Sequence, residues 1–382
     1  MSAVHAAYVF PKLISLAASE HAMAVYFQHT GTSTLASYMA LSCFLCAVLT
    51  YRWLAPPIST QRQPKISRSA QGGLVRYAII IGLFATIALL SLIAINGGIK
   101  SYFFSAGFYQ MRFEGLNVWL LFVSRFIYVA IAAATIATLT RPTYFRACLL
   151  TFLCIGPILN ILLLFRRTDL LIIAYIAVYG LIVIRGLRPK RSTNLLAGLV
   201  AALAIVSFPY LRQAAISEAT GWNYGTSNTD LLGQVAETLS IGESDEVVRA
   251  ASIIDQTRRS GSLQLGGFIW NSFVRQFIPS SLFGPDVKKG MMIEFGSRIQ
   301  EASLDFDTQS YFYVAPMGFS QAFEQFHIFG GIIFAALAGI LALCERRSNV
   351  LSNRIFVMVA VPLLCLAATN DIGSTPDGLI TF

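Results

Sequence analysis

Apolar residues along the chain gather into long runs, separated by shorter polar stretches in which Arg and Lys recur. A bilayer core takes about 20 mostly apolar residues per helix and tolerates somewhat shorter ones. The runs that meet this requirement are residues 33–54, 77–96, 118–140, 147–165, 170–184, 194–211, 329–344 and 355–369. Residues 6–27 form a ninth, whose Lys12 and Glu20 would have to snorkel or face protein. The pattern predicts an all-α polytopic membrane protein with about eight to nine transmembrane helices.

Charge sets the orientation. Arg52, Arg62, Lys65, Arg68 and Arg76 flank or fill the connection after the first clear span. Arg141 and Arg146 occupy the next alternate loop, then Arg185, Arg188, Lys190 and Arg191, then Arg346, Arg347 and Arg354. Every second loop is basic, which assigns these loops to the cytoplasm. The others face outward: residues 97–116, the tight turn 166–169, and a long segment from 212 to 326 that holds most of the acidic residues. The chain therefore divides into N-terminal spans (1–211), a large, partly helical outer loop (212–326) and C-terminal spans (327–382). In the loop, residues 240–256 read as an amphipathic helix. Residues 268–278 (FIWNSFVRQFI) are apolar but too short to span, and so lie in the interface or re-enter the membrane.

Composition agrees with this layout. The 382 residues are 55% hydrophobic and 12% charged, whereas a soluble domain carries about a quarter charged residues. The net charge of +9 is dispersed among the short loops, with no basic stripe interleaved with aromatics, which excludes nucleic acid as a partner. No cysteine lies in the long loop, and no disulfide framework is implied. Cys43 and Cys46 form a C-x-x-C inside an apolar run without further ligands, and packing accounts for them. The first apolar stretch, broken by charge, is not a cleavable signal peptide.

Three groups of residues could carry chemistry. Arg166, Arg167 and Asp169 sit at the outward ends of two spans in a tight hairpin, against the orientation bias. Guanidinium forks bind phosphate oxygens bidentately and keep their charge; snorkelling, with Asp169 as local counter-ion, is the alternative. Gln321, Glu324 and His327 follow at intervals of three where a span begins, so a continuous helix would put them on one face. A carboxylate with an imidazole can deprotonate or hold a hydroxyl, while an inert polar helix entrance is equally compatible. Of the basic residues in the long loop (Arg249, Arg258, Arg259, Arg275, Lys288, Lys289 and Arg298), most form a solvated face. Arg275 interrupts an apolar stretch and reaches headgroup level, as do Lys288 and Lys289 after a turn-rich FGPDVKKG. Trp222, Tyr224, Trp270, Tyr311, Phe312 and Tyr313 could stack on sugars, or form the commoner interfacial belt. Asp305 and Asp307 spell D-x-D on the outward side, where nucleotide sugars are absent. The usual signatures of metalloproteases, P-loop enzymes and serine hydrolases are missing.

The order of these features resembles the bacterial oligosaccharide repeat-unit polymerases, the Wzy-type O-antigen polymerase family. The matching stretches are RRTDLL at 166–171, GGFIWNSFVRQFIPSSLFGPDVKKG at 266–290 and GFSQAFEQFHIFGG at 318–331. The layout agrees from about Tyr77 onward. Family members often run longer, and the stretch before Ser33 matches nothing in them.

The resemblance implies an inner-membrane enzyme of polysaccharide (lipopolysaccharide) biosynthesis with its active site facing the periplasm. It implies glycosyl transfer from undecaprenyl pyrophosphate to a hydroxyl of a second lipid-linked unit. Partners are then undecaprenyl-pyrophosphate-linked oligosaccharides, membrane lipids and a candidate chain-length regulator protein. Glu324 and His327 are the expected acceptor-orienting groups. Arg167, with Arg166 and Arg275, is expected to stabilise the departing pyrophosphate, and Lys288 and Lys289 to bind it. The leaving group is already activated, so no cofactor or metal is required. An O-antigen ligase, a metal-dependent polyprenyl-phosphate glycosyltransferase using Asp305 and Asp307 or Glu114, and a transporter or flippase with Arg125 as its embedded charge are the competing expectations.

Overall fold

The computed structural model describes residues 31–55, 67–99, 102, 115–164, 167–187, 245–261, 263–267, 270–271, 273–274, 278, 283–293, 318–346 and 351–367. Among them the fold is helical, with no strand. The spans expected at 6–27 and 194–211 lie outside the described residues. In chain order the helices are α1 (Thr32–Leu54), α2 (Arg68–Ile95), α3 (Gly115–Arg125), α4 (Ile127–Thr140), α5 (Tyr144–Leu164) and α6 (Arg167–Tyr179). Then come α7 (Asp245–Ser260), α8 (Pro285–Met291), α9 (Gly318–Phe326), α10 (Gly331–Arg346) and α11 (Leu351–Ala367).

Among the described residues five helical stretches are long and apolar enough to cross a membrane: Thr32–Leu54, Arg68–Ile95, Trp119–Thr140, Tyr144–Leu162 and Gly318–Arg346. Two shorter apolar helices, Asp169–Ile184 and Ser352–Pro362, accompany them. The protein is a multi-pass helical membrane protein. Its outer faces suit lipid: on α2, Ile80, Leu83, Phe84, Ile87 and Leu90 are all exposed. A soluble protein could not leave so continuous an apolar stripe uncovered.

The bundle is centred on α4. This helix is apolar on every side, and every residue from Tyr128 to Ala137 is buried. An all-round apolar helix belongs in a core, and its alanines let neighbours approach closely. Leu74, Ala78, Leu153, Ile172, Ile176, Val357 and Met358, from α2, α5, α6 and α11, close around it. The carbonyls at the end of α4 are satisfied by cations: Arg146 donates to Ala137 O (2.9 Å) and Arg141 O (3.0 Å), and Arg185 to Leu139 O (2.9 Å). Basic residues at a helix C-terminus meet both the unpaired carbonyls and the dipole.

A second layer sets α1 beside α9 and α10. A Cβ on Gly331 would lie 2.9 Å from the Cys46 sulfur, and one on Gly339 would lie 3.7 Å from Thr50. Both numbers rise together, so α1 and α10 run parallel. Cys43 and Cys46 are free thiols. Cys43 is in the core and Cys46 faces Gly331, so the C-x-x-C serves packing.

At one end of this layer Tyr51 Oη donates to the Glu345 carboxylate. Tyr179 lies within electrostatic reach of both Glu345 and Arg354. Arg354 is only 4% exposed. It is a bundle residue, unlike the solvated loop cation that the alternating charge pattern suggests.

Candidate functional site

The opposite end of the α1–α10 layer carries the polar groups. Thr32, Ser33, Asp255, Ser320, Gln321, Glu324 and Gln325 are all buried there. They surround an apolar cluster formed by Ala36, Met39, Ala250, Ala251, Ile254, Phe319 and Phe323. Leu171, just inside α6, packs against the same cluster, which brings the first turn of α6 to this end. Buried polar groups need partners; Ser33 Oγ has none among the described residues, and three separate parts of the chain shape the surroundings of the others.

The first part is α7. The amphipathic pattern expected over 240–256 is realised as a helix from Asp245 to Ser260. Its apolar face enters the cluster, and with it Asp255, which is 1% exposed. Thr32 Oγ1 donates to Asp255 Oδ1 (3.0 Å), and Arg259 donates to Oδ2 from Nε (2.8 Å) and Nη2 (2.5 Å). Thr32 opens α1, whose preceding Gly31 provides no side-chain cap. A carboxylate at that N-terminus is favoured by the helix dipole. Arg259 thus pairs with a buried acid, where the loop's basic residues read as a solvated face.

The geometry makes a prediction. Arg259→Ala removes the guanidinium from a buried carboxylate and is expected to cost about 3 kcal/mol. Asp255→Asn should cost less, because Arg259 already reaches solvent. Thermal melting of the purified protein in detergent checks the order; equal melting of both variants would show that the pair contributes little.

The second part is the break between α9 and α10. A continuous helix would place Gln321, Glu324 and His327 on one face, but α9 ends at Phe326 and residues His327–Gly330 form a 3-10 turn. His327 adopts φ 54°, in the left-handed region, which few residues other than glycine enter. Its ring packs against Phe323 with centroids 4.3 Å apart. The imidazole is therefore positioned by Phe323 and not by helical register with Glu324.

The third part is the turn 264–266. An α-helix leaves its last carbonyls unpaired, and here two of them are capped from far along the chain. Gln264 N donates to Glu324 O (3.2 Å) and Leu265 N to Gln325 O (3.1 Å). Side chains repeat the pairing. Gln264 Nε2 donates to Glu324 Oε1, Gln325 Nε2 donates to Gln264 Oε1 (2.9 Å), and Gly266 N donates to Gln325 Oε1 (2.8 Å). Leu265 and Gly266 have φ 46° and 88°, and this left-handed pair lets successive N–H groups converge on one helix end. Glu324 is thereby held in one orientation at the margin of the buried cluster.

The remaining expected residues are placed less completely. Arg167 is the first residue of α6; Arg166 and Arg275 lie outside the described residues, as do Glu114, Asp305, Asp307, Trp222, Tyr224, Tyr311, Phe312 and Tyr313. Asp169, in the first turn of α6, is buried, and its Oδ2 has no hydrogen-bond partner among the described residues. It is an interior group. Lys288 and Lys289 lie on α8, which is tied back towards Gln264: Trp270 Nε1 donates to Met291 O (2.8 Å), and Asn271 exchanges hydrogen bonds with Ile293 (2.7 and 2.8 Å). Among the described residues no group of three or more His, Cys, Asp or Glu side chains could hold a metal ion.

Gln264, Gln325, Thr32 and Asp255 are site residues that the sequence did not single out. Only Gln325, next to Glu324 in the polar helix entrance, carried any local signal. No family model, curated protein or solved structure matches the chain.

Proposed function

We propose that the chain is a glycosyltransferase of about eight to nine spans that polymerises lipid-linked oligosaccharide repeat units at the outer face of a bacterial inner membrane. The observation that carries this is the Glu324 clasp. A carboxylate is buried and oriented by Gln264 at the end of the bundle opposite the basic loops, on the helix that ends just before the turn opened by His327. The positive-inside bias puts that end in the periplasm, where undecaprenyl-pyrophosphate-linked glycans are displayed.

The chemistry needs few parts. The acceptor hydroxyl oxygen bonds to the anomeric carbon of the donor glycan, and its proton passes to Glu324 or His327. The bond from that carbon to the pyrophosphate oxygen breaks, and the electron pair leaves with undecaprenyl pyrophosphate. Arg167, with Arg166 and Arg275, supplies positive charge where the leaving group develops it. Lys288 and Lys289 stand on a unit hydrogen-bonded towards the clasp and add phosphate-binding charge. Residues 1–211 and 327–382 form the membrane part in this proposal, and 212–326 the periplasmic loop.

A transporter or flippase is the second reading. It is favoured by the break between α3 and α4, which places Arg125 inside the span Trp119–Thr140, since intramembrane charges at interrupted helices mark transport pathways.

The length distribution of surface glycan in cells lacking the chain separates these functions. Polymerisation predicts collapse of the ladder to single repeat units, restored by the wild type. Loss of all attached glycan would indicate an O-antigen ligase or a flippase, and an unchanged ladder would reject both transfer reactions. Glu324→Gln preserves the shape and most hydrogen bonds of the clasp while removing the proton acceptor. It is expected to lower turnover on the order of 10²-fold or more, with lipid-substrate binding retained. Equal loss of binding and turnover would make Glu324 structural.

A further inference from the structure

We infer that the hairpin formed by the Trp270 segment and α8 is a membrane-surface anchor, seated in the lipid headgroups on the side of the bundle where Glu324 lies. Three observations converge on lipid as the occupant. The hairpin is two-faced. Val274 is fully buried, while Leu265, Trp270, Phe283, Val287, Met291 and Ile293 are between 40% and 70% exposed. Val287 and Met291 stand four residues apart on α8 and so share one side of the short helix, which the exposed Phe283 precedes.

The second observation is depth. Leu265 N is bonded to Gln325 O, and Ile328, Phe329 and Ile332, three to seven residues further on, are 54%, 73% and 63% exposed on the membrane-crossing stretch. The exposed apolar surface of the hairpin thus begins at the level where the bilayer-facing surface of the span begins. The third is charge. Lys288 and Lys289 share α8 with Val287 and Met291, and cations beside buried aliphatic and aromatic groups match anionic headgroups over acyl chains. The internal hydrogen bonds from Trp270 and Asn271 to the backbone of Met291 and Ile293 keep both faces of the hairpin together.

The inference does not require glycan transfer, and its test needs no substrate. The full chain with Trp53, Trp119 and Trp222 replaced by Phe keeps Trp270 as its single tryptophan. It is reconstituted in vesicles of phosphatidylcholine with phosphatidylglycerol, brominated near the headgroup end of the acyl chains. Trp270 is expected to lose most of its emission to the brominated lipid and to be shielded from iodide. Quenching by iodide alone would place the hairpin in water, and shielding from both would show that protein covers it; either result overturns the anchor.

If the triple variant does not fold, the difference in quenching between wild type and Trp270→Phe gives the same readout. Replacing Lys288 and Lys289 together with Gln is expected to weaken the bromolipid quenching in phosphatidylglycerol and to leave it unchanged in pure phosphatidylcholine. An equal effect in both lipids, with inorganic pyrophosphate shifting the Trp270 emission, would assign the lysines to a substrate phosphate and overturn their role at the headgroups.

Discussion

Arg167→Ala is expected to abolish glycan chain growth, on the order of 10³-fold in rate, while protein abundance stays unchanged. The residue opens α6, so a cation there adds to the N–H groups and positive dipole end of the helix. Asp169, two residues further on and buried, keeps a carboxylate oxygen without a hydrogen bond among the described residues, and Leu171 ties this part of α6 to the cluster that carries Glu324. Arg167→Lys should recover part of the rate, since charge returns but the planar fork does not. Complementation of a deletion strain, read as glycan length against immunoblotted protein, decides the matter. Long glycan retained in the Ala variant would remove Arg167 from the site.

Gly330→Ala is expected to be the most damaging single-methyl change in the bundle. An added Cβ would lie 2.4 Å from the carbonyl oxygen and 2.5 Å from the carbonyl carbon of Ala322. Those are backbone atoms, which cannot rotate aside, so α9 would have to move off the turn that positions His327. A cost of several kcal/mol is expected, in the range reserved for overpacking and forced backbone shifts. Gly331→Ala meets side-chain atoms, the Cys46 sulfur at 2.9 Å and the Ser42 hydroxyl at 3.3 Å, and should cost less. Gly72→Ala, in α2 with nothing within 4 Å, should be neutral or raise stability by up to about 1 kcal/mol through helix propensity. Yield and melting temperature in detergent rank the three; a Gly330→Ala protein as stable as Gly72→Ala would mean that the α9–α10 break adapts freely.

Much of the bundle was legible along the chain. The runs at 33–54, 118–140 and 147–165 became helical stretches of nearly the same bounds, and 77–96 became a helix that begins nine residues earlier, at Arg68, because twenty apolar residues in a row have few other uses. The amphipathic helix in the long loop was legible for the same reason, with a shift of four or five residues at its ends. The helical face of Gln321, Glu324 and His327 was not, because spacing presumes an unbroken helix. Only the path of the chain shows that Gly330 abuts the Ala322 carbonyl and that His327 turns left-handed before it.

What the sequence by itself determined is the solvent of each segment: hydropathy fixes which stretches belong in lipid, and the alternation of basic loops marks one end of the bundle. Both signals are local sums over neighbouring residues, so they survive without knowledge of the fold. Partnership is different in kind. Thr32 and Asp255 are 223 positions apart, Tyr51 and Glu345 are 294 apart, and Gln264 and Glu324 are 60 apart. Each pair exists because parallel packing of α1 on α10, and the docking of α7 and the 264–266 turn on α9, bring a donor to an acceptor that burial would otherwise leave unsatisfied. That requirement is met in three dimensions, and only the tertiary structure decides which residue meets it.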